Sequence, residues 1–369
     1  MSVQKRKFDY SSPQVQKQVE EIQHGSFMRQ GTMLAFPLCF PGATIPIVPD
    51  ESHITALDAT PEGIIYGGTS GKRSHILVAM FHGSTGAVFD MKMVDNADHC
   101  PAVCCGKNKL AACVNGPNSG GRILTTALHP MASDLIQEWG FLRPDFADWG
   151  EPVPGEPIVH AVADASRESV VGITSRHLFS FDFETAKSKV LAEISCIGRL
   201  GLASNRNILG LDGTGHLWSY DARTQALHRQ AIKLPGGAWG QMPLRWARDS
   251  HQGLLYTTDD SGTLFSFHAD RGFSSPLGKT MFTPVGPMAV TFDGRVFGFC
   301  GDGIAKMFCY EPGRKQITDL GVAISVFERR RYGYVFGDAV AGRDGEIVFG
   351  EDDNLGHLWL YYPRIQGVT

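Results

Sequence analysis

The sequence predicts an all-β fold, a single seven-bladed β-propeller whose ring is closed by an N-terminal strand. Three observations carry this expectation. A strand reading roughly His-Leu-Phe-x-Phe-Asp recurs seven times, at start-to-start spacings between 39 and 55 residues. A second β-rich run, bounded by turn residues, precedes each copy. The chain also carries 43 glycines and 20 prolines among 369 residues. Both residue types are costly inside helices, and no heptad run is present. Units of roughly 40–50 residues with three or four strands each are the signature of propeller blades.

The elements follow in order. Residues 1–32 read as an arm, with a short helix over 15–22 on the outside. The propeller is expected over 33–369. Residues 33–50 are expected to supply the closing strand of the last blade. The last unit runs out soon after Tyr362, and pairing the chain ends removes an exposed sheet edge. The recurring strands lie at 75–81, 122–127, 177–182, 216–221, 263–268, 306–311 and 357–362. Their partners are 64–69, 110–115, 170–175, 208–213, 254–259, 296–301 and 347–352. Turns such as Asp293-Gly294 and Asp344-Gly345 open several of these, as in hairpins. Still earlier runs, such as 54–59, 161–165 and 288–292, are rich in small residues and suit inner strands around a narrow axis. Residues 131–159 depart from the repeat. With Trp139, Phe141, Arg143 and Trp149, they read either as an elaborated outer strand with a packing loop or as a lid.

Charge and composition exclude several function classes. The chain has 34 Lys and Arg against 38 Asp and Glu, a net charge of −4. It shows no basic stripe, so no nucleic-acid partner is expected; Arg329–Arg331 reads as a solvated loop. No apolar stretch of ~18 residues predicts a membrane span, and no membrane partner is expected. The polar N-terminus lacks an apolar signal region. A cytoplasmic location is expected, although a removed leader would leave the same picture. Of eight cysteines, five fall in strand-like runs and read as buried thiols. No zinc spacing surrounds Cys104 and Cys105. No P-loop, dinucleotide fingerprint, nucleophile elbow or HExxH is present. No metal site and no required cofactor are expected. A structural or axial divalent cation stays open, through His53, His99 and His160 or on the run from Glu351 to Asn354. That run reads first as an acidic turn.

In propellers, ligands bind where the inner strands begin, beside the axis; this locates a site by analogy and names no chemistry. The residues opening the inner strands include His53, His99, His160, Arg199 and Arg245, with Tyr332 and Tyr334 in the last blade. Neighbouring loops add Lys72, Arg73, His75, Asn115, Asn118, Arg176 and His177. A funnel of His, Arg and Tyr would be cationic and titratable, and would suit an anionic saccharide. His75, His177, His216 and His357 share one register. A repeated position reads first as architectural, but Arg73 and Arg176 beside His75 and His177 pull those two toward function.

One blade carries a resemblance. His53-Ile-Thr-Ala-Leu-Asp58, the run from Gly63 to Thr69 and Ser74-His75-Ile-Leu-Val78 resemble the seven-bladed propeller polysaccharide lyases, the ulvan and rhamnosyl-glucuronate lyases. The likeness of repeat style covers residues 50–365. Its sharper part is His53 and His75, a histidine pair within one blade. The family also uses a Tyr and an Arg in a neighbouring blade; His160 and Arg176 have that spacing, with His in place of Tyr. This departure leaves base and acid unassigned. The resemblance implies β-elimination at a glucuronate. A cation neutralises the carboxylate, a base removes the adjacent proton and an acid protonates the departing oxygen. It implies His53, His75, His160 and Arg176 as catalytic residues. Substrate contacts would be His99, Arg73, Arg199, Arg245, Tyr332 and Tyr334. The competing reading is a non-catalytic propeller that binds a glycan or a protein.

Overall fold

The computed structural model describes residues 31–38, 47–82, 85–128, 144–302, 305–325 and 332–364. Seven antiparallel sheets form a ring of seven blades. Blade 1 contains His53–Ala59, Ile65–Ser70, Ser74–His82 and Thr85–Val94, from the axis outward. The inner strands of blades 2 to 7 are His99–Cys105, Ile158–Ala163, Gly201–Leu202, Ala247–Asp249, Val285–Val290 and Phe336–Ala341. Each expected copy of the recurring motif is the third strand of a blade. These strands are Ser74–His82, Ser119–Ala127, His177–Asp182, His216–Asp221, Thr263–His268, Lys306–Glu311 and His357–Pro363.

The motif recurs because each third strand must pack against both neighbouring blades. Successive side chains in a strand point to opposite faces. In blade 3, Phe179 and Phe181 pack against Ala102, Cys113 and Ile123 of blade 2. Leu178 points the other way, to Leu200, Ile208 and Trp218 of blade 4. The apolar layers thus lie between blades, as in a stack of sandwiches bent into a circle.

The ring closes through Gly31–Pro37, which pairs antiparallel with His357–Pro363 in unbroken register from Gly31↔Pro363 to Pro37↔His357. Leu34 packs with Ile54, Leu57 and Leu77 of blade 1. Met33 and Ala35 face the other side, with Phe297 and Met307 of blade 6. The sequence reading set this strand at 33–50. It starts earlier and ends at Pro37, because proline has no N–H to extend a ladder.

The outer strand of blade 2, Ala147–Asp148, comes from the segment that departs from the repeat. Trp139, Phe141 and Arg143 of that segment lie outside the described residues. So do residues 1–30 with the helix expected over 15–22, Cys39, and Arg329 to Arg331. The seven described cysteines are free, six of them buried. Burial pushes the thiols of Cys113, Cys196 and Cys309 up to about 12, so they stay protonated and inert. Among the described residues, no helix is long and apolar enough to cross a membrane.

A feature of the inner strands positions the site. Five of them carry a register shift near their first residues, at Ile54/Ala56, His99/Ala102, Ile158/His160, Val285/Met288 and Phe336/Asp338. Such bulges leave the extra residue unpaired in its ladder. Thr55 and Gly337 are two of these residues, and their carbonyls need donors from elsewhere.

Candidate functional site: the axial channel

The donors come from across the axis. Arg199, at the start of blade 4, donates through Nη2 to the carbonyls of Thr55 in blade 1 and Gly337 in blade 7, both at 2.9 Å. Its Nη1 pairs with the carboxylate of Asp338. Blades 1 and 7 lie opposite blade 4 in a seven-membered ring, so this guanidinium bridges the channel. Asp338 also accepts from the backbone N–H of Leu57, at 2.7 Å. Arg245 of the blade 4–5 link reaches Gly337 O at 2.6 Å. It forms no ion pair among the described residues. Burial and the neighbouring Arg199 charge pull its pKa down to about 10, still far above neutral.

The upper mouth holds two of the expected histidines, His53 and His99. His53 Nδ1 faces Asp352 Oδ1 at 3.1 Å, and its Nε2 faces Asn354 Oδ1 at 2.9 Å. His99 is exposed, and its Nδ1 lies 2.8 Å from Ser70 Oγ. Ser70 Oγ lies 2.7 Å from Thr55 Oγ1, which donates to Cys100 O at 2.7 Å. Counting protons along this chain assigns the tautomer. The Thr55 proton goes to Cys100 O, so Ser70 donates to Thr55, and His99 Nδ1–H donates to Ser70. The lone pair of His99 is then on Nε2, which has no partner among the described residues. The residue as a whole is exposed, but partial desolvation of its ring lowers the His99 pKa; Asp98 and Asp352 oppose this and Arg199 adds to it, so the neutral ring predominates at pH 7. His160 has the opposite tautomer. Its Nδ1 accepts the Leu200 N–H at 3.1 Å, which leaves the proton on Nε2. Burial, then Arg199 and Arg245, hold its pKa well below the usual range. Tyr334 is 45 % exposed at the rim, and Tyr332 is half-buried beside it.

The other expected residues stand in two latches. His75 is 4 % exposed. Its Nε2 faces Glu51 Oε2 at 3.0 Å and its Nδ1 faces Asp90 Oδ2 at 2.8 Å. Arg73 Nε holds the other Glu51 oxygen at 2.6 Å. Burial alone would depress the His75 pKa, but Asp90 and Glu51 outweigh it and raise it. Blade 3 repeats the plan. Glu156 accepts from Arg176 Nη2 at 2.8 Å, from His177 Nδ1 at 2.9 Å and from the Thr174 hydroxyl. The structure therefore separates His75 from His53, and Arg176 from His160. The arginines that flank His75 and His177 serve the same buried carboxylates as those histidines. His357 sits near Glu351 in blade 7, at 3.7 Å, while His216 caps its own turn through Thr214.

These latches make a pH prediction. Hydrogen bonds from Thr174, His177 and Arg176 hold the Glu156 carboxyl down at about 2, from an ordinary 4.5. A carboxyl depressed in the folded state contributes stability above its unfolded pKa and loses it as pH falls through the folded pKa. Melting temperatures measured between pH 4.5 and 2 should therefore fall more steeply for the native chain than for Glu156→Gln. Parallel curves would show that the latch carries no such stability.

Several residues of the channel escaped sequence reading. Glu51 and Glu156 carried one weak signal, each standing two residues before an inner strand. Asp338, Arg167, Trp246 and Arg248 carried none. Below the Arg199 bridge the channel widens to a cavity of about 370 Å³, lined by His160, Arg167, Trp246 and Arg248 among others. Among the described residues, no three His, Cys, Asp or Glu side chains gather as a metal site, and His53, His99 and His160 form no such group.

Neither protein-family models nor curated proteins match the chain. Solved structures do match its fold. A streptogramin B lyase superposes with a TM-score of 0.65 at 10 % identity, over 90 % of this chain and 97 % of that one. A catalytically inactive virginiamycin B lyase from Staphylococcus aureus with quinupristin gives 0.60 at 8 %, over 89 % and 99 %. U3-55K gives 0.58 at 9 %, over 89 % and 98 %. At such identities the likeness establishes the seven-bladed propeller and nothing finer. Propellers named as lyases are among the structural neighbours.

Proposed function

We propose that the upper mouth of the channel binds a uronate-containing saccharide and cleaves it by β-elimination. The observation that carries this reading is the unpartnered Nε2 of His99, together with an Arg245 guanidinium that forms no ion pair among the described residues. A neutral imidazole with an open lone pair is a competent base. A cation with spare donors and no carboxylate partner is ready for a substrate carboxylate.

His99 Nε2 takes the proton from the carbon next to the carboxylate. The freed electron pair forms the carbon–carbon double bond, and the bond to the leaving oxygen breaks. The departing oxygen takes its proton from solvent, because both nitrogens of His53 already face oxygens. Arg245 neutralises the carboxylate as negative charge spreads onto it. Exposed Tyr334 offers the sugar an aromatic face. His75, with both nitrogens taken by carboxylates, stays outside this scheme and keeps a positioning role.

The test is incubation with glucuronate-containing oligosaccharides, following the ultraviolet band of an unsaturated uronate. His99→Ala should lower the rate by about 10²-fold or more, with saccharide affinity largely kept. A folded protein that yields no band across a broad panel would overturn the elimination. A second reading, glycan binding without chemistry, is favoured by the Arg199 bridge that closes the channel below the mouth. Saccharide binding without any band would select it.

A further inference from the structure

We infer that the cavity below the Arg199 bridge is a second site, open to the opposite face, for a small molecule bearing a phosphoryl group. Its walls present hydrogen-bond donors that the protein leaves unused. Arg167 Nη1 and Trp246 Nε1 are both buried, and neither has a partner among the described residues. His160 turns its proton-bearing Nε2 away from the Leu200 N–H that its Nδ1 accepts. Arg248 makes no ion pair among the described residues. Leaving a buried donor unmade costs about 1–3 kcal/mol, more for a charged one, so Arg167 Nη1 and Trp246 Nε1 on one cavity mark a place for an acceptor-rich ligand; exposed Arg248 adds charge to the same wall.

The acids on the wall do not fill that role. Asp58 accepts the backbone N–H groups of Ala59 and Cys105 at 2.8 and 2.7 Å. Burial raises its pKa. Asp164 is taken by Ser166 Oγ and the N–H groups of Glu168 and Ser169. Asp338 belongs to Arg199. Arg167 and Arg248 are near enough that the Arg167 charge, after burial, lowers the Arg248 pKa. The Arg167 charge also acts on buried Asp58, but no ion pair joins either arginine to a carboxylate among the described residues, so the two favour an anionic group between them.

Arg167 has φ +59°, as Arg206 does (+70°) at the same turn of blade 4, while Gly63, Gly294 and Gly345 stand there in blades 1, 6 and 7; the turn therefore accepts glycine at this place. The cavity volume lies within the range of small-molecule pockets. A second space of about 380 Å³, lined by Pro61, Arg167, His251 and Arg343, adjoins it on the lower face and leads to solvent.

Thermal unfolding of the full chain with inorganic phosphate, against sodium chloride at equal ionic strength, tests this. Phosphate should raise the melting temperature by about 2 °C or more at saturating concentration. Arg167→Gly should fold, because glycine accepts this φ without strain, and should abolish the shift. Arg248→Ala should reduce it and serves as the readout if the first variant is unstable. Acetate should leave the temperature unchanged. The inference is overturned if phosphate gives no shift, if the shift survives in the variants, or if acetate matches it.

Discussion

Leu34→Asp should lower the melting temperature by about 10 °C or more and loosen blade 7. Leu34 is 2 % exposed and packs on Ile54, Leu57 and Leu77 of blade 1. Deleting a buried leucine side chain costs about 2–5 kcal/mol, and an unpaired carboxylate in its place adds a desolvation cost. For large domains each kcal/mol moves the transition by about 2–4 °C. The loss extends beyond one side chain, because Gly31–Pro37 is itself the fourth strand of blade 7, held by its backbone ladder to His357–Pro363. Freed, His357–Pro363 would present an unpaired edge, so the variant should also self-associate. Leu34→Ala should give a smaller drop on the same scale. A melting temperature within the error of the native value for both variants would show that the ring is held elsewhere.

Arg199→Ala should destabilise the fold by about 3 kcal/mol, the lower end for a pair that loses one buried partner. Its side chain and that of Asp338 are 21 % and 12 % exposed, so water softens the loss. What remains is a carboxylate without its cation, the Thr55 carbonyl without its donor, and the Gly337 carbonyl held by Arg245 alone. Arg199→Lys should recover less than half. An ammonium is a point charge, whereas the planar guanidinium serves three acceptors at fixed angles. Urea unfolding of Arg199→Ala, Asp338→Asn and the double variant gives the coupling between them. A coupling below about 0.5 kcal/mol, the level seen for independent sites, would remove the bridge from the account of stability.

These expectations separate what was readable from what was not. The strands were readable because their signal is local. Leu178, Phe179 and Phe181 announce a strand packed on both faces, and the same pattern recurs at Leu264, Phe265 and Phe267. The mouth was readable in part. His53, His99 and His160 stand at the starts of inner strands, as their register implies. Their roles were not readable, because a role depends on which oxygen or N–H meets each ring nitrogen. His75 stands in the recurring third-strand register and His99 opens an inner strand, but neither position tells which oxygen meets which ring nitrogen. One is locked between two carboxylates and the other keeps an open lone pair. The partners that decide this, Glu51, Asp90 and Ser70, lie 15 to 29 residues away with no motif to join them.

By itself the sequence determined the seven repeats, the pairing of the chain ends and a set of basic and imidazole side chains near the axis. Each follows from periodicity, which local spacing records. The tertiary structure alone decided how the axis is held. Bulges at Thr55 and Gly337 free two carbonyls, and an arginine from the far side of the ring satisfies them. A bulge is a one-residue mismatch between two strands, and an axial contact joins blades that are distant in the chain. Neither leaves a trace in spacing, because both arise only when closure of the ring sets opposite strands face to face.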